Sequence, residues 1–305
     1  MNKLKLISLF SGIGAFEKAL KNIGVDYELI NYCEIDKYAS KSYSLLHGVD
    51  ENKNLWDIRN IDIEKLPKDI DLITHGSPCQ DFSIAGKQNG GGKDSGTRSS
   101  LIWNSVQIIK HCRPKYVIWE NVKNVLSKNH IHNFEKYLDA LENLGYTNYY
   151  KVLNAKDFGI PQNRERIFVV SILGKENKFE FPKEKELEKI DKFLNDINIE
   201  GYDVIQPSMI KHIGEKLRVI ETYCWTITTK QVRLPNAGII KKDYGYRYLT
   251  PLECFRLMGF DDEDYQICSD NGISDTQLYK QAGNSIVVPV LESIFKNIFK
   301  KGVKI

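Results

Sequence analysis

Two rhythms of apolar positions alternate along the first half of the chain. Short apolar runs predict buried strands, and stretches with apolar residues every three or four positions predict helices. Residues 5–10 read as a strand, followed by the turn Ser11-Gly12-Ile13-Gly14. Ala15, Phe16, Ala19, Leu20 and Ile23 form one helical face, which Gly24 ends. Residues 27–33 predict a second strand, with Glu34 directly after it. A short apolar run ending in Leu55-Trp56 predicts a third strand end before Asp57. Residues 70–74 predict a buried parallel strand, 101–112 a helix and 116–119 another buried strand. A helix around 132–143, a strand near 149–153 and a strand over 167–172 complete this half.

The rhythm then stops. Residues 175–198 are rich in Glu and Lys and read as a solvated connector or exposed helix. From about 201 to 246 the pattern is irregular, with 225–229 as its one strong strand. Regularity returns at 249–260, where Pro251 suits a first helical turn and Gly259 a helix end. Gln281-Ala282-Gly283-Asn284-Ser285 reads as a turn opening a C-terminal amphipathic helix to about 299. The pattern predicts an α/β fold, a Rossmann-like mixed, mostly parallel sheet with helices on both faces, plus a small irregular domain.

Composition narrows the class. The chain has 305 residues, enough for two domains, and ordinary hydrophobic and charged fractions of 42% and 27%. No apolar run has the length of a membrane span, and residues 1–3 lead into a strand with no signal-peptide pattern. The six cysteines, at 33, 79, 112, 224, 254 and 268, show no C-x-x-C pair and no histidine spaced to join them. That argues against structural zinc and against a disulfide framework, and fits a reducing cytoplasm. The net charge of +3 is too small to identify a nucleic-acid partner. Residues 204–247, however, carry eight Lys/Arg against three acids, either a phosphate-gripping surface or a solvated one.

The candidate chemistry lies at strand ends. In open α/β sheets ligands bind at the carboxyl ends of the strands. Gly76-Ser77-Pro78-Cys79-Gln80 follows the run at 70–74 and precedes a loop with glycines at 86, 90, 91, 92 and 96. A cysteine there is a nucleophile or a small buried hydrophobe. Pro78 on one side and a glycine-rich hinge on the other favour the nucleophile. A glycine turn with an acid about 20 positions on is the layout of a nucleoside-binding βαβ unit. Gly12 and Gly14 would admit a ligand, and Glu34 would accept from ribose hydroxyls. Glu17 replaces the third glycine of a dinucleotide fingerprint, which favours a smaller ligand with one carboxylate, such as S-adenosylmethionine. Asp57 is an adenine contact or a turn-capping residue. Glu120, after the strand at 116–119, is a protonated hydrogen-bond donor with a raised pKa, or a helix-capping or salt-bridged residue. Arg164 and Arg166, two residues apart, share one face as a clamp or as part of an ion-pair ladder.

In their order these residues make the chain resemble a DNA cytosine-5 methyltransferase of the bacterial or phage type, over nearly its whole length. Phe10-Ser11-Gly12-Ile13-Gly14 is similar to that family's cofactor turn, Glu34 to its ribose ligand and Asp57-Ile58 to its adenine contact. Pro78-Cys79-Gln80 resembles its nucleophile motif, and Glu120-Asn121-Val122 its second catalytic motif. Gln162-Asn163-Arg164-Glu165-Arg166 resembles its arginine motif, residues 247–260 its long helix motif, and Gly283-Asn284-Ser285 its last cofactor contact. Thr226-Ile227 resembles the Thr-Leu pair anchoring its variable recognition segment. Ile35 stands where an aromatic is common, and Ala85 where some members have serine.

The resemblance implies a methyl transfer from S-adenosylmethionine, leaving S-adenosylhomocysteine, to C5 of a flipped-out cytosine, with no metal. It implies Cys79, Glu120, Arg164 and Arg166 as catalytic residues. Phe10, Gly12, Gly14, Glu34, Ile35, Asp57, Ile58, Pro78, Leu101, Asn284 and Ser285 would hold the cofactor. Gln80, Ser83, Lys87, Arg98, Thr226, Thr228 and Arg233 would meet double-stranded DNA. Residues 1–185 would form the catalytic domain, 186–281 the target-recognition domain and hinge, and 282–305 a segment returning to the first. A monomer is expected, with or without a cognate restriction endonuclease. Three rivals stand beside this reading: an RNA cytosine-5 methyltransferase on the same fold, a DNA-binding module without turnover, and a nicotinamide oxidoreductase.

Overall fold

The computed structural model describes residues 3–78, 98–174, 178–231, 233 and 235–299. Among them, six strands form the main sheet: β1 (Leu4–Leu9), β2 (Tyr27–Cys33), β3 (Leu72–His75), β4 (Tyr116–Val122), β5 (Tyr146–Asn154) and, numbered in chain order past a short β6 (Gln162–Asn163), β7 (Glu165–Leu173). The order is β2-β1-β3-β4-β7-β5. β2, β1, β3 and β4 are mutually parallel, and β7 runs antiparallel to both β4 and β5. This is the mixed, mostly parallel sheet expected from the strand–helix rhythm.

Alternation along the strands sends side chains into two apolar layers. Leu6, Leu72, Ile118 and Val170 lie in one, with α1 (Ala15–Asn22), α2 (Lys37–His47) and the last helix. Ile7, Ile73, Val117, Trp119 and Val169 lie in the other, under α3 (Ile102–Cys112) and α4 (Ile131–Asn143). Helices therefore cover both faces, and the central strands are buried almost throughout.

The segment after β7 carries little regular structure. It holds α5 (Pro207–Ile210), β8 (Cys224–Trp225), β9 (Ile239–Lys241) and β10 (Tyr246–Tyr248). Val204, Leu217, Ile239 and Tyr248 form a small apolar cluster of its own. Ile220, Cys224, Ile227 and Ala237 instead join the larger layer beside the sheet. A buried ion pair fastens the segment to the next helix. Arg247 gives two guanidinium nitrogens to Glu253 at 2.8 and 2.9 Å, both side chains fully enclosed.

α6 (Pro251–Arg256) begins at a capping box: Thr250 accepts from the Glu253 backbone N–H, and Glu253 accepts in return. α7 (Asp262–Asp270) and α8 (Asp275–Asn284) follow, then α9 (Val288–Ile298), which packs on α1. The end of the described chain thus returns to the first helix.

Three expectations change. Residues 281–284 close α8 instead of forming a turn, and only Ser285 leaves the helix. The strand over 225–229 shrinks to Cys224–Trp225, paired with β6, because Ile227 sends both backbone groups to side chains. Before Asp57 there is no strand, only one isolated bridge between Tyr32 and Asn54.

Candidate active site

The carboxyl ends of β1, β2, β3 and β4 gather the candidate residues on one edge of the sheet. After β1, Phe10 takes a left-handed backbone conformation and the chain turns through Gly12, whose φ is also positive at 57°. A side chain on Gly12 would meet open space, so this turn leaves its backbone accessible. Gly12 donates its N–H to Glu34 Oε2 at 2.9 Å, and Asp36 donates to Glu34 Oε1 at 2.8 Å. Burial raises the Glu34 pKa, and these backbone donors oppose the shift. Each carboxylate oxygen accepts one such bond, so lone pairs remain for a vicinal diol.

Gly14 has a different reason to be glycine. Its Cβ would lie 2.0 Å from His47 Nε2, whose ring sits 3.1 Å from the Ile13 carbonyl. Gly14 therefore has a packing reason to be glycine beneath the turn, and its positive φ of 82° is a second.

The other expected cofactor residues divide by exposure. Ile35 is 65% exposed, whereas Ile58 is buried in the apolar layer. Asp57 caps a 3-10 turn, and its carboxylate holds the Arg59 guanidinium, which lowers its pKa. Leu101 ends a 3-10 turn leading into α3. Asn284 is exposed, and Ser285 is buried with its hydroxyl on the Ile286 carbonyl.

Pro78 is the last described residue after β3. Cys79, Gln80, Ser83 and Lys87 lie outside the described residues, and Arg98 begins the 3-10 turn before α3. The approach to Cys79 is held firmly. Ser77 Oγ accepts from Trp119 Nε1 at 3.0 Å, and the Ser77 carbonyl accepts from Asn121 Nδ2 at 3.0 Å. His75, enclosed one turn earlier, pairs with the Tyr137 hydroxyl at 2.9 Å. No local pattern announces these contacts. Asn121 could have been found as the partner of Glu120 in its motif, but Ser77 and Trp119 carry no such signal.

Glu120 and Arg166 meet between β4 and β7, with Arg166 Nε 3.1 Å from Glu120 Oε1. Glu120 is only 8% exposed. Burial raises its pKa, and Arg166 then Arg164 pull it back, leaving a net upward shift. A carboxyl group shifted this way holds a proton more readily than an exposed one and, when protonated, can donate a hydrogen bond.

Arg164 is buried and reaches the other way. It donates to the carbonyls of Ile227, Gly283 and Ser285 at 2.9, 3.1 and 2.7 Å. Thr226 Oγ1 donates to the Asn163 carbonyl, and Ile227 N–H donates to Gln162 Oε1. Thr228 accepts from Asn236, while Arg233 is exposed. Gly283 fits so closely under residues 228–229 that a Cβ would fall 2.4 Å from the Thr228 carbonyl carbon.

These groups stand at the edge where an open α/β sheet binds its ligands, and comparison with known proteins makes the assignment. The family model described as C-5 cytosine-specific DNA methylase matches residues 4–300. The type II methyltransferase M2.ScrFI of Lactococcus lactis subsp. cremoris is 43% identical over 295 residues, 92% of this chain and 81% of that one. The type II methyltransferase M.HhaI of Haemophilus parahaemolyticus is 34% identical, covering 97% of this chain and 94% of that one. The crystal structure of the S. pombe Dnmt2 methyltransferase superposes with a TM-score of 0.77 at 22% identity, covering 98% of this chain and 99% of that one, a likeness of fold. The chain belongs to the C-5 cytosine-specific DNA methylases. It is a DNA (cytosine-5) methyltransferase, of a family that uses S-adenosylmethionine.

Proposed function

We propose that the protein is a sequence-specific methyltransferase acting on double-stranded DNA through a transient covalent bond from Cys79 to C6 of a flipped-out cytosine. The observation carrying this reading is the buried Glu120 carboxyl paired with Arg166 beside the strand end that leads to Cys79.

Carbon 5 of cytosine is a poor nucleophile. Addition of the Cys79 thiolate to C6 makes the ring enamine-like, and electron density moves to C5. Glu120, whose burial favours the protonated form, would donate to N3 and hold the exocyclic amine. Arg166 orients Glu120 and faces the base O2, and Arg164 backs both. After transfer, a water-derived base removes the C5 proton, the C5–C6 double bond re-forms and the thiolate departs.

The turn at 10–14 and Glu34 suit S-adenosylmethionine, because Gly12 is open above its backbone and Glu34 keeps acceptor capacity. Glu34 would hold the ribose, Phe10 would belong to the cofactor turn, and Ile35 would lie beside the adenine. Pro78, Leu101, Asn284 and Ser285 would border the remainder. When bound, the cofactor supplies an electrophilic methyl sulfonium.

A stacked cytosine is out of reach, so flipping it costs a few kcal/mol. The loop 81–100, with Gln80, Ser83, Lys87 and Arg98, would close on the DNA. The basic segment 204–247, with Thr226, Thr228 and Arg233, would lie across the groove. A monomer in the cytoplasm, acting alone or beside a restriction endonuclease, fits this reading; relatives of both the type II and the orphan kinds are similar in sequence.

DNA containing 5-fluorocytosine should form a denaturant-resistant adduct at Cys79 in the presence of S-adenosylmethionine, and Cys79→Ser should form none. Absence of an adduct with folded, cofactor-loaded protein would reject the covalent route. Plasmid and tRNA tested side by side should show label only in the plasmid.

A further inference from the structure

Trp56 sits where a tryptophan should not sit without cause. Among the described residues, three other than glycine have a positive φ: Phe10, Trp56 and Arg113. Arg113 closes helix α3. The other two are aromatic and stand just after strand β1 and just before Asp57. At a φ of 57°, a bulky side chain strains the backbone, and glycine would relieve it.

The strain is held by specific bonds. Trp56 N–H donates to Asn54 Oδ1 at 2.8 Å, and the Trp56 carbonyl accepts from Cys33 Sγ at 3.0 Å. Asn54 does more with the same side chain. Its Oδ1 also accepts from Glu34 N–H at 3.0 Å, and its Nδ2 donates to the Glu34 carbonyl at 2.9 Å. One enclosed amide therefore fixes Glu34 and Trp56 together.

Burial does not explain the arrangement. Leu55 and Ile58 pack into the apolar layer, but Trp56 remains 42% exposed. Its ring meets no other aromatic ring among the described residues. A large π face is thus displayed at a strained position whose backbone is tied to the residue that suits a ribose.

We infer that Trp56 is a stacking wall for the purine ring of the bound cofactor, positioned relative to Glu34 by Asn54. This rests on the S-adenosylmethionine reading given above. Stacking needs a flat ring and no particular hydrogen-bond pattern, so phenylalanine should serve in place of tryptophan and glycine should not.

The test uses the full chain with S-adenosylhomocysteine, followed by calorimetry and by tryptophan fluorescence. Wild type should bind with quenching. Trp56→Gly should weaken binding on the order of 10- to 100-fold while melting at the same or a higher temperature without ligand. Trp56→Phe should bind within about threefold of wild type yet lose most of the quench, since Trp103, Trp119 and Trp225 remain. Equal affinity in Trp56→Gly, or an undiminished quench in Trp56→Phe, overturns the inference. If affinity in Trp56→Gly is unchanged while Glu34→Ala loses it, the inference falls and the cofactor reading survives. Failure of the wild type to bind rejects both.

Discussion

Arg166 meets Glu120 across two strands that run in opposite directions, nitrogen to oxygen at 3.1 Å. The opposition matters. β7 begins at the edge where β4 ends, so an arginine at its first turn reaches a carboxyl group at the other strand's last turn. A fully parallel sheet would place the two at opposite edges.

Replacing Glu120 by Gln should lower turnover by roughly 100- to 10,000-fold with little change in cofactor affinity. Its effect on stability has a definite sign. Burial raises the carboxyl pKa in the folded state, so the stabilising protonated form is complete below the ordinary value of 4.5 and is lost as pH rises through the folded value. The amide is neutral throughout. Thermal melting should therefore favour Glu120→Gln increasingly as pH rises above 4.5, until the folded-state carboxyl is fully ionised. A gap independent of pH would mean that Arg166 and Arg164 fully offset the burial.

Arg164 should tolerate no substitution. Its guanidinium serves three backbone carbonyls, a geometry that a lysine ammonium cannot reproduce. Both Arg164→Lys and Arg164→Met should destabilise the fold by about 2–4 kcal/mol, because the carbonyls lose charged donors in a buried place. Urea titration is the measurement, and a loss under 1 kcal/mol (roughly the worth of a single neutral bond) would contradict the clamp.

Gly283→Ala should push residues 228–229 away from α8, since the added methyl would overlap the Thr228 and Thr229 backbone. Overpacking of this kind costs about 1–3 kcal/mol. DNA affinity should fall with it, and cofactor affinity much less. Gel-shift and calorimetric titrations separate the two.

His75 should make the protein sensitive to acid. Burial lowers its pKa from the ordinary 6.5 to about 3, so the folded state resists a proton that the unfolded chain accepts. Stability from this group is present above about pH 6.5 and declines as pH falls toward 3, by up to about 1.4 kcal/mol per pH unit. A His75→Phe variant should lose less stability than wild type between pH 7 and pH 4. An identical loss would place the acid sensitivity elsewhere.

Much of this architecture is written locally in the chain. The strands β1 to β4 and β7 show as short apolar runs because both their faces are covered. Glu34 and Glu120 are visible as acids directly after such runs. What stayed hidden depends on distant partners. Residues 226–229 have strand-forming side chains, yet Gln162 and Arg164 take the backbone bonds that a ladder would need. Gly283 and Asn284 look like turn residues, but glycine is required in the helix because another backbone crosses it there. The Trp119–Ser77–Asn121 contacts and the Asn54 clamp join residues 20 to 44 positions apart, beyond any periodic signal.

The grip of Arg164 has one consequence for how such a protein can change. It holds main-chain oxygens, which every amino acid supplies. Exposed side chains farther along the strap it grips at Ile227, such as Arg233, can therefore be exchanged while the anchorage persists. On the proposed reading, a new preference for a DNA word would be acquired by rewriting that strap's exposed face alone, without disturbing the acid and the arginine across the sheet edge.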